Sequence, residues 1–236
     1  MVTAQPPKGI HWTKDGSGYY ESDASGIVLH SFPGDTKKTI IDKNKLKPQG
    51  ATAALKVRNF FFSEDGNKAL IYTNSKKVWR YDTKGDYWLL DISSNKLTQL
   101  GKSLPAASLM FAKFSPDATK VAYVSGHNIY VEDVVSNKIT QLTKDGTDRL
   151  INGTFDWVYE EEFGCRDGFR WSPDGKYLSF VSSRNGETNA QIWLMNRLGG
   201  EGKKLTSLKT NLMDYSWSPD GKKILMTIKT LADTSK

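Results

Sequence analysis

The sequence predicts an all-β protein made of β-propeller blades. Three observations carry this expectation: a heavy aromatic load, a turn motif that returns about every fifty residues, and a strand-and-hairpin unit after each return. The 236 residues include seven Trp, ten Tyr and ten Phe, and such side chains favour the pleated, half-buried surface of a sheet over a helical bundle. The turn motif is an aromatic residue, Ser or Thr, a variable residue, then Asp and usually Gly. It reads Trp12-Thr13-Lys14-Asp15-Gly16, Phe62-Ser63-Glu64-Asp65-Gly66, Phe114-Ser115-Pro116-Asp117-Ala118, Trp171-Ser172-Pro173-Asp174-Gly175 and Trp217-Ser218-Pro219-Asp220-Gly221. Successive Asp residues lie 50, 52, 57 and 46 positions apart. That period suits one four-stranded blade per unit.

Each element of the unit has a local reason. Pro presets the first turn position, and Asp-Gly supplies the positive φ of a tight turn. An apolar strand follows: Ala69-Leu70-Ile71-Tyr72, Val121-Ala122-Tyr123-Val124, Leu178-Ser179-Phe180-Val181 and Ile224-Leu225-Met226-Thr227. A second hairpin comes next, with Tyr87–Asp91 before Lys96–Leu100, Ile129–Asp133 before Lys138–Leu142, and Ile192–Asn196 before Lys204–Thr206. A fainter first copy runs from Ile27–His30 to Thr39–Ile41. The expected architecture is one partial propeller over residues 1–236, with blades of four antiparallel strands. Units start near 12, 62, 114, 171 and 217, giving about four blades and the opening of a fifth. Blades bury their faces against neighbours, so such an open array leaves an apolar face at each end.

Composition narrows the function. The formal charge of +7 comes from lysines spread over the turns, such as Lys37-Lys38, Lys203-Lys204 and Lys222-Lys223. That pattern fits solvated hairpins and guarded strand edges, not a nucleic-acid groove. Cys165 is the only cysteine, which excludes an internal disulfide and a cysteine zinc site. No clustered His or Asp set has metal spacing and no glycine-rich phosphate loop occurs, so neither a metal nor a cofactor is expected. No apolar run reaches the ~18 residues of a membrane span. The opening Met1-Val2-Thr3-Ala4-Gln5-Pro6-Pro7 lacks a basic-then-apolar signal region. The expectation is a cytoplasmic protein, or a periplasmic or secreted one whose signal was removed. There is no Gly-x-Ser-x-Gly nucleophile elbow, and His11, His30 and His127 sit at separate strands or turns.

The candidate site is Thr154-Phe155-Asp156-Trp157-Val158-Tyr159-Glu160-Glu161-Glu162-Phe163. Three consecutive carboxylates lie between aromatics that favour burial, namely Trp157, Tyr159 and Phe163. Fixed, grouped carboxylates repel one another unless a cation sits among them. An ammonium ion suits them, because its three N–H donors can be shared between two carboxylates. Asp156 stands where its carboxylate caps the first turn of a helix. Arg166 and Arg170 follow as candidate partners for Glu160. Asn152-Gly153-Thr154 has the form of a glycosylation sequon.

Asp156-Trp157-Val158-Tyr159-Glu160-Glu161-Glu162 resembles the Asp-Trp-Val-Tyr-Glu-Glu-Glu signature of the dipeptidyl peptidase IV family, serine exopeptidases of the prolyl oligopeptidase clan. The resemblance implies that the signature lies on a short helix inserted in a propeller. It implies that Glu161 and Glu162 grip the free α-amino group of a peptide substrate, with Asp156, Trp157, Tyr159 and Glu160 in support. Lys76-Lys77-Val78-Trp79-Arg80-Tyr81 resembles the family's Trp-Arg segment, which assigns Arg80 to the substrate's carbonyl oxygens. In that family the Ser, Asp and His of catalysis belong to a C-terminal α/β-hydrolase domain, absent from this sequence and a missing partner on this reading. From Ser183 onward, Arg184-Asn185-Gly186-Glu187, Gln191–Asn196 and Gly199-Gly200-Glu201 are more similar to acylaminoacyl-peptidase or TolB propellers. The expected function is recognition of X-Pro or X-Ala peptides with a free N-terminus, without cleavage by the chain itself. The alternative is a TolB-like module that binds a protein or peptide and has no catalytic role. A homodimer stays open.

Overall fold

The computed structural model describes residues 9–34 and 36–229, and within that span the side chains of all but Glu162 and Phe163. The opening stretch Met1-Val2-Thr3-Ala4-Gln5-Pro6-Pro7 and residues 230–236 therefore lie outside the described residues. The chain forms successive antiparallel sheets, as the repeat requires. The first holds β1 (His11–Trp12), β2 (Gly18–Asp23), β3 (Gly26–Ser31) and β4 (Thr36–Asp42) in sequence order. The second blade is β5 (Asn59–Phe62), β6 (Lys68–Val78), β7 (Tyr81–Asp91) and β8 (Lys96–Gln99). The third is β9 (Leu109–Phe114), β10 (Lys120–Ser125), β11 (Asn128–Asp133) and β12 (Ile139–Gln141). The fourth is β13 (Phe169–Trp171), β14 (Tyr177–Ser182), β15 (Gln191–Asn196) and β16 (Lys203–Lys204). A fifth unit opens with β17 (Leu212–Trp217) paired to β18 (Ile224–Ile228).

The second strands β6, β10 and β14 are apolar on both faces because their blades each lie between two others. In β6, Ala69 and Ile71 join Ile27, Ile41 and Phe60 in the core between blades one and two. The alternate residues Leu70 and Tyr72 join Val121 and Tyr123 in the next core. Blade three repeats the arrangement, with Ala122 and Val124 against Phe180 and Trp193 of blade four. Val181 and Ile192 then meet Leu212 and Tyr215 of the fifth unit. There the sequence of cores stops among the described residues. Leu225 on β18 is 74% exposed, and Met226 and Ile228 are exposed with it.

The recurrent motif builds one turn five times. The Gly16, Gly66, Ala118, Gly175 and Gly221 amides bond back to the carbonyls of Thr13, Ser63, Ser115, Ser172 and Ser218, and all five residues have positive φ. In the later four copies the serine hydroxyl donates to the motif Asp and accepts the amide five residues on, as with Ser172, Asp174 and Tyr177. These bonds favour the ionised carboxylate. Ser17 holds the Asp15 carboxyl down to about 2, and Ser63 with Asn67 holds Asp65 there too. The usual value is 3.8. A depressed folded value means that the unfolded chain takes up protons first as pH falls. The stability contributed by these turns is therefore expected to stay level above pH ~4 and to drop between pH ~4 and ~2. Urea unfolding across that range tests this, and Asp65→Asn should flatten the slope.

Two departures from the plain blade position the site. First, β6 and β7 are each 11 residues long. Their hairpin continues past the blade through the pairs Lys76↔Lys84 and Val78↔Tyr81. Gly85 permits the crossing onto β9, where it pairs with Leu109; a Cβ there would lie 2.5 Å from the Tyr72 ring. Second, a helix, α1 (Trp157–Phe163), interrupts the connection between β12 and β13.

Candidate functional site

Sequence local to α1 explains why it forms and stops. Asp156 has extended backbone, and its carboxylate accepts the Tyr159 amide at 3.1 Å, a helix cap. Gly164 takes the left-handed conformation at the other end, with φ of 67°, and Cys165 N donates to Tyr159 O. Tyr159 turns inward and stacks on Phe155 at 5.2 Å. Burial, with Asp156 nearby, raises the pKa of its phenol.

The two motifs singled out in the sequence meet here. The tip of the β6–β7 hairpin reaches α1, and the Arg80 guanidinium lies 2.6 Å from the Glu161 carboxylate. Glu161 is only 8% exposed at its side chain, whereas Arg80 is 74% exposed. An enclosed carboxylate is thus presented beside a solvated cation. Next to Arg80, the ring of Tyr81 lies under the Arg166 guanidinium at 3.6 Å. Glu162 belongs to α1, but its side chain lies outside the described residues.

Glu160 is 7% exposed, and among the described residues its Oε1 has no hydrogen-bond partner. Burial raises its pKa, opposed by the nearby Arg166 charge and reinforced by Glu161. Of the two arginines considered as its partner, Arg170 is excluded. It pairs with Asp167 at 3.1 Å and Asp214 at 3.2 Å instead, because β13 directs it along the inner strands. A further correction concerns Trp157. Its ring was expected to be buried, yet Trp157 is 51% exposed and Val158 is exposed beside it. With 3.6 residues per turn, one face of so short a helix reaches the blades; Tyr159 and Glu160 occupy it, leaving Trp157 and Val158 on the outer side. The Asn152 side chain is also enclosed, donating to His127 O and Asp145, so the folded sequon does not offer its amide to solvent.

The sequence reading did not include Lys113. It pairs with Asp167 and sits 4.2 Å over the Phe169 ring, beside a cavity of about 580 Å³ lined by Phe61, Tyr87, Phe111 and Trp171. Desolvation lowers its pKa to about 8, with Asp167 acting in the opposite direction. The available signal was a lone lysine within the apolar inner strand Leu109–Phe114. Among the described residues no group of three or more His, Cys, Asp or Glu could hold a metal ion, and no helix is long and apolar enough to cross a membrane. The histidines are dispersed: His11 pairs with Asn59, His30 with Glu21 and His127 with Asp148.

Comparison with known proteins matches the fold and a family. Residues 63–191 match the family described as the dipeptidyl peptidase IV (DPP IV) N-terminal region. A probable dipeptidyl peptidase 4 of Trichophyton verrucosum is 32% identical over 173 residues, covering 73% of this chain and 22% of the relative. A probable dipeptidyl-aminopeptidase B of Aspergillus oryzae is 35% identical over 145 residues, covering 61% of this chain and 16% of the relative. The chain therefore spans about a fifth of the length of these curated relatives. The crystal structure of Porphyromonas gingivalis dipeptidyl peptidase 4 superposes with a TM-score of 0.79 at 22% identity, over 94% of this chain and 36% of that one. A putative TolB of Agrobacterium tumefaciens superposes with a TM-score of 0.56 at 22% identity, over 97% of this chain and 72% of that one. These two likenesses give the propeller fold, and the match across more than half of the sequence gives the family: the chain belongs to the dipeptidyl peptidase IV family and carries its N-terminal, propeller-type region.

Proposed function

We propose that this chain is the substrate-recognition propeller of a dipeptidyl peptidase IV-like serine exopeptidase. On this reading Glu161 and Glu162 hold the free α-amino group of an X-Pro or X-Ala peptide, and Arg80 donates to the peptide's carbonyl oxygens. The supporting observation is the 2.6 Å contact between Arg80 and the enclosed carboxylate of Glu161, two residues from distant parts of the sequence. A carboxylate has more acceptor sites than one guanidinium fills. Glu161 can therefore keep Arg80 and still accept from an ammonium. The site counts residues from the amino end by charge: an acylated N-terminus brings no cation and leaves the carboxylates facing a neutral amide.

The reading assigns binding to this chain and cleavage to a hydrolase domain that supplies the nucleophile. Titration calorimetry with Ala-Pro and with N-acetyl-Ala-Pro tests it. Ala-Pro is expected to bind, and acetylation to weaken it by about 100-fold, since a hydrogen bond to a charged group contributes roughly 1.5–3 kcal/mol. An Ala-Pro-arylamide should release no arylamine when incubated with the pure chain. Equal binding of both dipeptides would favour a capture module indifferent to the amine. Failure of both to bind would overturn the recognition role.

A further inference from the structure

The Arg80–Glu161 contact does not by itself fix the hairpin tip. Arg80 is largely solvated, and Trp79 and Tyr81 on either side of it are exposed. Exposed ion pairs hold geometry weakly. The pairing of β6 with β7 is also irregular between Thr73 and Val78, where the register shifts. Some other contact must hold the tip against α1 if the two motifs are to present one constant geometry.

We infer that Arg166 is the positioning residue that clamps the hairpin tip to α1, through its guanidinium stacked on Tyr81, and so sets Arg80 against Glu161. Three observations converge on it. Its backbone is anchored, because the Phe155 amide donates to Arg166 O at 3.1 Å, tying the exit of α1 to its entry. The preceding residue is held as well, with Cys165 Sγ 2.6 Å from Met213 O on β17. From that base the guanidinium crosses to the hairpin and lies 3.6 Å from the centre of the Tyr81 ring. A planar cation over an aromatic face is a geometry that Arg makes well and Lys less well. Among the described residues Arg166 Nε has no hydrogen-bond partner, and the stack on Tyr81 supplies a contact that no bond from Nε does. Its charge also opposes the burial of Glu160 next to Glu161. One side chain thus touches the neighbour of Arg80 and offsets the neighbour of Glu161.

This inference rests on the recognition reading for its purpose but not for its test. The first measurement is amide hydrogen exchange of the unliganded chain over residues 76–84. Arg166→Met and Tyr81→Leu should each speed exchange there by roughly 10-fold, the scale of a lost cation–π contact. Tyr81→Phe should leave it unchanged, and Arg166→Lys should fall between. Exchange in β9 should not move in any of them. The second measurement is Ala-Pro affinity, expected to fall by roughly 5-fold to 10-fold in Arg166→Met and in Tyr81→Leu, and no further in the double variant, as for partners in one contact. Unchanged exchange at the tip, or additive losses, would overturn the clamp. If Arg166→Met does not fold, the Tyr81 pair of variants carries the same test from the other side. A tip that loosens as expected in a chain that binds no dipeptide would keep the clamp and sink the recognition reading alone.

Discussion

Glu161→Gln is expected to weaken binding of a free-amine dipeptide by about two orders of magnitude while leaving the fold intact. The size follows from where the carboxylate sits. Its side chain is 8% exposed, so the amide that replaces it cannot recover the lost interaction from water. A hydrogen bond to a charged group contributes roughly 1.5–3 kcal/mol, and ~2.7 kcal/mol is 100-fold in a binding constant. Gln keeps an acceptor oxygen but loses the charge, and its NH2 faces cations on both sides, Arg80 and the incoming ammonium. Arg80→Ala should cost less, roughly 3-fold to 10-fold, because a largely solvated guanidinium is screened. It should also change the salt dependence of binding, since the exposed partner is the one that added salt screens most. Calorimetry at two salt concentrations separates the two variants. Wild-type affinity in Glu161→Gln would remove the carboxylate from the site.

What the sequence revealed and what it hid divide along a physical line. The five turns were legible because their determinants are local: a Ser or Thr, an Asp two residues later, and a residue of positive φ all lie within six positions. The blade period followed from them. The cap by Asp156 was legible for the same reason. The clamp was not, since the Arg166–Tyr81 stack joins a loop of one blade connection to the hairpin of another, and only the fold brings them together. Nor was the length of the β6–β7 hairpin, where the polar residues Asn74, Ser75, Lys76 and Lys77 belong to β6 and Lys76 pairs with Lys84 across a shifted register. Trp157 misled because residue type predicts burial only on average. On α1 Glu160 and Tyr159 take the face toward the blades, Tyr159 stacked on Phe155, and Trp157 is turned to solvent. Glu160 and Glu132 carry the converse lesson. Both are charged by residue type, and both are buried.

Glu132 supplies the largest stability effect expected outside the apolar cores. It lies on β11 at 2% exposure, and one of its oxygens accepts two hydrogen bonds. The Tyr123 hydroxyl donates at 2.9 Å from β10, and the Gly101 amide donates at 2.8 Å from the segment after β8. The carboxylate thus stitches blade three to blade two. Glu132→Ala removes the acceptor and strands both donors in the interior. Each unsatisfied buried group costs roughly 1–3 kcal/mol, so a loss of about 3 kcal/mol is expected in urea unfolding. Glu132→Gln keeps an oxygen for both donors and buries no charge, and it should be as stable as the parent at neutral pH or more so. The pH dependence distinguishes this account from a simple packing defect. Burial raises the folded pKa of Glu132, with the Gly101 and Tyr123 bonds opposing it. Between its unfolded and folded values the native state therefore binds more protons. The stability contributed by this group falls as pH rises through that interval, opposite in sign to the turn aspartates. Glu132→Gln should remove that decline and leave the acid-side drop from Asp15 and Asp65 in place. A Gln variant that unfolds as easily as the Ala variant would mean that the ionised carboxylate, and not its role as a shared acceptor, holds the two blades together.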